Sequence, residues 1–173
     1  MSPASDAGLP EVGIRLLDPR LADWGFPHWG SAAAAGLDLF ACLDAALLLE
    51  PQAAPALIPA GFSVLIRDPG WCGLIMPRSG RGHRDGLVMG NGTGVIDADY
   101  EGPLMISAWN RNPSGAPIRI EPGERIAQMV FTRVARPRLL VEAARLALEV
   151  GEGGTDTVAG SGRGSGGFGS SGR

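Results

Sequence analysis

With 173 residues the chain can bury one proper hydrophobic core, so length sets a single domain as the starting point. A net charge of −3 and a pI near 5.3 argue against a general nucleic-acid binder, whose affinity comes from a basic face that releases counterions, so any phosphate site must be local. The 27 glycines and 14 prolines favour many short elements joined by turns over a helical bundle, and lean the class towards all-β.

The opening MSPASDAGLPEV has no basic head before an apolar stretch, so no secretory signal is expected. Residues 14–17 read as a first strand, and 18–35 as a loop carrying Pro19, Gly25, Pro27 and Gly30. The four alanines at 32–35 can seed a helix, but Gly36 and the run Leu37, Asp38, Leu39, Phe40 favour a strand over 36–42. Asp38 and Asp44 interrupt the longest apolar region, 32–49, so no membrane span is expected and the protein reads as soluble and cytoplasmic. Cys42 and Cys72 lack the spacing of a zinc site or disulfide framework and read as buried free thiols.

Residues 62–67 alternate as a half-buried strand requires, with Phe62, Val64 and Ile66 on one face and Ser63 and Arg67 on the other. Further strands are expected over 72–76, 104–109, 117–121 and 125–134, separated by Gly, Pro or Asn turns. Seven or more short strands imply a closed or sandwiched antiparallel architecture. Residues 139–149 fit either a strand or a helical turn. The expected organisation is a β domain over 1–150 and a Gly-rich arm over 151–173, too poor in apolar residues to order itself without a ligand.

Five stretches contain residue types that a core does not need, and none is diagnostic by itself. In AGLDLFA (35–41), Asp38 reads most simply as the solvent-facing member of a strand. In PRSG (77–80), Arg78 offers a charged fork, Ser79 a hydroxyl and Gly80 a close backbone approach, a set able to hold phosphate oxygens or to make an ordinary polar turn. GNGTGVIDADYEG (90–102) is the most specific. Asn91 can pair with a pyrimidine edge, and Asp97 and Asp99, two apart, share a face if they lie on a strand. A carboxylate there can take a proton from an attacking water, and Tyr100 offers a flat face for a sugar; solvated aspartates on a hairpin are the plain alternative. In PGERIAQMVF (122–131), Gln128 can reach a phosphate or water, or simply face solvent, and Arg125 reads as structural. RGSGGFGSSG (163–172) places Arg163 and Phe168 in a glycine tail that can close over a nucleotide, or remain a plain terminus. It lacks the Gly-Lys-Ser/Thr of a P-loop.

Taken in this order, the five stretches resemble the five motifs of the trimeric dUTPase family, from about residue 12 to the C-terminus, with Pro77 to Phe131 similar to the bacterial form throughout. The resemblance implies a jelly-roll-like β-barrel and a homotrimer in which each site draws motifs from more than one copy and a swapped C-terminal arm closes it. The implied reaction cleaves dUTP to dUMP and pyrophosphate with Mg2+, keeping uracil out of DNA and supplying dUMP for thymidylate synthesis. A single chain is then expected to be inactive.

By this resemblance Asp97 is the general base, and Arg78, Ser79 and Gly80 form the phosphate turn. Asn91 and the backbone of Val95 and Ile96 form the uracil and deoxyribose pocket, Tyr100 packs on the sugar, and Met105 lines the pocket. Gln128 lies near the phosphates or the attacking water, Arg163 meets the terminal phosphate and Phe168 covers the uracil. Magnesium is held chiefly by phosphates and water, with Asp38 at most an outer-shell partner, and the residues supply no dense cluster of hard oxygen ligands.

The chain departs from the family pattern at Ala98, where a serine is common, at Thr93, before Ala35, and in the long Gly-rich stretch from Val141 to Ser161. A dCTP deaminase shares the fold but expects a glutamate on the strand that follows the third motif, and no acidic residue lies between Glu101 and Glu121. A regulatory module that keeps the pocket but signals through a partner is the alternative from another class. No nucleic acid or membrane partner is expected.

Overall fold

The structure, a computed structural model, describes residues 9–141. The chain divides into two compact units, Met1–Pro137 and Arg138–Arg173. Of the second, the described residues are 138–141, which form neither strand nor helix and leave Leu139, Leu140 and Val141 exposed; the rest of the ambiguous 139–149 stretch lies outside the described residues.

Among its described residues the first unit is all-β apart from two short turns of helix. Strands run in the order β1 (Gly13–Leu16), β2 (Leu37–Phe40), β3 (Leu47–Leu49), β4 (Ala56–Pro59), β5 (Phe62–Leu65), β6 (Trp71–Pro77), β7 (Leu87–Met89), β8 (Gly94–Ile96), β9 (Met105–Asn110), β10 (Ile118–Ile120) and β11 (Arg125–Arg133). Every ladder is antiparallel. The largest sheet has the order β2-β11-β6-β8, a second has β4-β9-β7, and β1-β5 and β10-β3 form two-stranded pairs. These ladders do not close on one another, so the expected barrel takes the form of four separate antiparallel sheets among the described residues.

Between β1 and β2, where the turn residues predict only loop, Arg20–Asp23 forms one helical turn, α1. Asp18 sets it by accepting the Arg20 backbone N–H at 3.0 Å and the Arg20 guanidinium at 2.6 Å, and Leu21 drops fully into the core. A π-helical turn, Arg81–Asp85, joins β6 to β7 and ends at Gly86, whose φ of +77° is the left-handed conformation that glycine tolerates best.

Strand β9 shows the simplest link from sequence to burial: Ile106, Ala108 and Asn110 face inward while Met105, Ser107 and Trp109 face out. Asn110 is buried without penalty, because its amide donates to Leu49 O at 2.9 Å and its Oδ1 accepts Asn112 N–H at 3.1 Å. Strand β5 corrects the alternation read over 62–67. It ends at Leu65, Arg67 turns the chain at φ +60°, and all four strand residues are buried, Ser63 included. Strand β1 pairs with β5 along its whole length, with Arg15 directly across from Ser63.

The core gathers Phe62, Leu39, Ile58, Ile106, Ile126 and Met129 from the separate sheets, with Phe26 against Phe62 at a ring distance of 4.6 Å. Both cysteines are buried and free, as expected. Among the described residues no helix is long and apolar enough to cross a membrane.

Candidate active site

Strand β11 lies between β2 and β6, and this central position brings three of the five sequence stretches together. Gln128 on β11 stands opposite Asp38 on β2 and Met76 on β6, so the start of β11 faces the turn that follows β6. Asp38 is only 4% exposed, which corrects its reading as a solvent-facing residue; β2 is buried along its whole length, so the polar position has no outer side to occupy.

A buried carboxylate needs partners. Asp38 has three: its Oδ1 meets Arg78 Nε at 2.9 Å, and its Oδ2 meets His28 Nδ1 at 2.9 Å and Arg125 Nη1 at 3.1 Å. Arg78 also donates from Nη1 to the Arg125 carbonyl at 3.2 Å. Arg125, read from sequence as structural, therefore shares the carboxylate with Arg78. His28 carries no sequence signal at all, since nothing in a Pro-rich loop marks a residue that packs against a strand ten positions later.

The Arg78, Ser79 and Gly80 turn opens into a pocket of about 420 Å3 walled by four arginines, Arg78, Arg81, Arg84 and Arg125, against one carboxylate, Glu124. A neighbouring pocket of about 330 Å3 is shared by Asp38, Arg78, Ser79 and Gln128. Gln128 donates to Pro77 O at 3.0 Å, and a side chain at Gly36 would collide with its amide, so the glycine of the first stretch makes room for the glutamine of the fourth. Paired guanidiniums, a free hydroxyl and an open glycine can receive several anionic oxygens at once.

The third stretch is built differently. Asn91 sits exposed in the loop before β8, where Gly92 N–H bonds to Met89 O at 3.1 Å. Strand β8 is the edge of its sheet, with Val95 60% exposed and Ile96 half-buried. It ends at Ile96, so Asp97 and Asp99 lie in a turn, closed by Tyr100 N–H to Asp97 O at 3.2 Å, and do not share a strand face. The buried Ala98 between them anchors that turn, and Asp99 lines a separate pocket with Arg67 and Glu101.

Asp97 is exposed and its carboxylate has no hydrogen bond or ion pair among the described residues. Tyr100 is 42% exposed and donates its hydroxyl to Pro103 O at 2.8 Å, while Met105 is 37% exposed.

The single chain does not bring these residues to Arg78. Neither pocket at the arginine turn includes Asn91, Asp97, Tyr100 or Met105. Ile96 pairs with Gly73, five residues before Arg78, a separation of about 16 Å along an extended strand. Arg163 and Phe168 lie outside the described residues. Among the described residues no three His, Cys, Asp or Glu side chains are placed to hold a metal, and both oxygens of Asp38 are occupied by Arg78, Arg125 and His28. The donor set fits an ion that arrives with phosphates and water, not one held by the protein alone.

The chain is 49% identical over 160 residues to a deoxyuridine 5'-triphosphate nucleotidohydrolase of Xanthomonas campestris pv. campestris (strain B100), covering 92% of this chain and 95% of that protein. It is 46% identical over 173 residues to the protein of the same name from Xanthomonas euvesicatoria pv. vesicatoria (strain 85-10), covering 99% of each. Among solved structures, a mutant Staphylococcus bacteriophage 80alpha dUTPase with dUpNHpp matches at a TM-score of 0.64 and 29% identity, over 78% of this chain and 98% of that one. A mutant dUTPase from phage phi11 of S. aureus, described with a structural Mg(II) ion, matches at 0.65 and 27%, over 78% and 99%. The family model described as dUTPase matches residues 22–172, and the chain belongs to the dUTPase family.

Proposed function

We propose that this chain hydrolyses dUTP to dUMP and pyrophosphate, in a site assembled from more than one copy of itself. The observation that carries the shared site is the separation along β6. The arginine turn follows the end of β6, whereas the unpartnered Asp97 follows Ile96 of β8, which pairs with Gly73 five residues before Arg78; this is too far to act on one phosphorus, while both face open surface.

In this reading the exposed edge of β8 meets the uracil through the backbone of Val95 and Ile96, with Asn91 on the base edge. A main chain that meets the base this directly would leave no space for a thymine methyl. Tyr100, its hydroxyl tied to Pro103 O, presents a fixed ring to the deoxyribose, and Met105 closes the pocket wall. Arg78, Ser79 and Gly80 of another copy take the phosphate oxygens, with Gln128 alongside near the attacking water.

Asp97 accepts a proton from that water, whose oxygen attacks the α-phosphorus. The bond from that phosphorus to the α,β-bridging oxygen breaks, and pyrophosphate leaves with the bonding pair. Magnesium arriving with the triphosphate would offset the charge that develops on the leaving pyrophosphate, and Asp38 would stand no nearer than its outer shell. The assembly proposed is a jelly-roll homotrimer, and Arg163 and Phe168 on the arm cover the terminal phosphate and the base.

Complementation tests the shared site. Asp97→Asn and Arg78→Ala homotrimers should each be nearly inactive with dUTP, whereas refolding them together at equal amounts should restore about a quarter of the sites, since one copy then supplies each intact half. A mixture as inactive as its parents would overturn the shared site. Full activity of Asp97→Asn alone would overturn the role of Asp97.

A further inference from the structure

The Arg81–Asp85 turn brings two guanidiniums to the arginine pocket, and only one of them is spent on the protein. Arg81 pairs with Asp85 at 2.8 Å and Glu124 at 3.0 Å and donates to Arg119 O at 3.2 Å. Arg78 and Arg125 share Asp38. Arg84 has no hydrogen bond or ion pair among the described residues, so its donors stand unused beside the pocket that it lines.

The segment that carries Arg84 is nonetheless fixed. Asn112 Nδ2 donates to Asp85 O at 2.8 Å, the Arg111 backbone N–H to Gly86 O at 3.1 Å, and Arg111 Nη2 to Gly82 O at 3.1 Å. The guanidinium lies over the open face of Gly80, where a Cβ would stand 3.4 Å from Arg84 Nη2. A solvating surface arginine needs neither the bracing nor this seat on the turn. A planar fork held beside a phosphate turn, with its donors unused, is suited to a terminal phosphate, which offers three non-bridging oxygens.

We infer that Arg84 binds the far end of the triphosphate, the part that departs as pyrophosphate, while Arg78, Ser79 and Gly80 hold the oxygens nearer the reacting phosphorus. The inference rests on the reading of this pocket as the phosphate subsite of dUTP hydrolysis. It adds a fixed cation from the body of the chain to that expected of Arg163 on the arm, and makes Arg84 a residue that discriminates triphosphate from monophosphate.

The experiment compares full-length wild type, Arg84→Gln and Arg84→Lys by steady-state hydrolysis of dUTP and by calorimetric titration with inorganic pyrophosphate and, separately, with dUMP. Arg84→Gln should weaken pyrophosphate binding and raise KM for dUTP, each about tenfold, the size of one charge-assisted contact. Binding of dUMP should stay unchanged, and Arg84→Lys should recover part of the loss. The urea midpoint should match wild type, because the side chain is exposed and has no partner among the described residues. Equal pyrophosphate binding by wild type and Arg84→Gln, or an equal loss for dUMP, would overturn the assignment. A wild type that binds pyrophosphate but does not cleave dUTP would sink the hydrolase reading instead, and the two failures are distinct.

Discussion

At one end of β6, Asp38, Arg78, Arg125 and His28 hold one another in fixed positions; at the other, Asp97 follows an edge strand and touches no partner among the described residues. The first region is preorganised by folding alone, since its donors are aimed before any ligand arrives. The second has no such network among the described residues. The contrast separates what each substitution should disturb: changes to the mutually paired residues at the arginine end, Asp38 above all, should cost stability as well as binding, and a change of Asp97 should cost chemistry alone.

The largest effect should come from Asp97→Asn. A lost general base lowers kcat by about a hundred- to ten-thousand-fold, whereas KM and the urea midpoint should hardly move. A loss confined to KM would show that Asp97 only binds. Asp38→Ala gives the reciprocal case. It strands two arginines and a histidine, and because their side chains are roughly a third exposed, the cost in urea denaturation should be about 2 kcal/mol, below that of a fully buried pair. If Asp38→Ala were as stable as wild type, the cluster would not be the fixed platform described here.

A smaller loss is expected from Gly86→Ala, where the residue sits at φ +77° and a methyl group would collide with the Asn112 side chain. It should lower stability by about 1–2 kcal/mol, and pyrophosphate affinity should fall with it if the turn bearing Arg84 shifts.

The smallest effect concerns Cys42, away from both ends. Burial, helped by the charge of Asp18, pushes its thiol up to about 11. The unfolded thiol ionises at about 8.5, so between these values the unfolded chain has lost a proton that the folded one keeps, and stability falls as pH rises. The contribution is full below the lower value and lost towards the upper. Cys42→Ala should flatten that part of the stability–pH curve, and iodoacetamide at pH 8 should modify Cys42 only after unfolding.

Much of the β character was legible because turn residues bracket the longer strands: β6, β9 and β11 lie within two residues of their predicted spans. Strands β3, β4, β7 and β8 escaped prediction because short runs such as Leu47–Leu49 and Leu87–Met89 are apolar throughout and show no alternation, whereas the equally short β2 and β10 set a polar residue between apolar ones. The Arg78, Ser79 and Gly80 turn was readable from residue type. The burial of Asp38 was not, because a strand covered on both sides breaks the rule that polar residues face out. Nor was the partnership of His28, Asp38 and Arg125, which forms only when β11 is laid between β2 and β6. For Asp97 and Asp99 the spacing of two suggested a shared face, and the end of β8 at Ile96 removed it.

The seven residues of β6 act as a spacer of set length between two stations, the arginine turn and the turn that bears Asp97. Surface connections elsewhere can lengthen or shorten without moving either station, but β6 admits no such editing. Deleting one residue would exchange its inward and outward side chains. Deleting two would preserve those orientations yet draw the stations together by roughly 7 Å. Length variation among natural or engineered versions of this chain should therefore spare that strand, however freely it occurs around it.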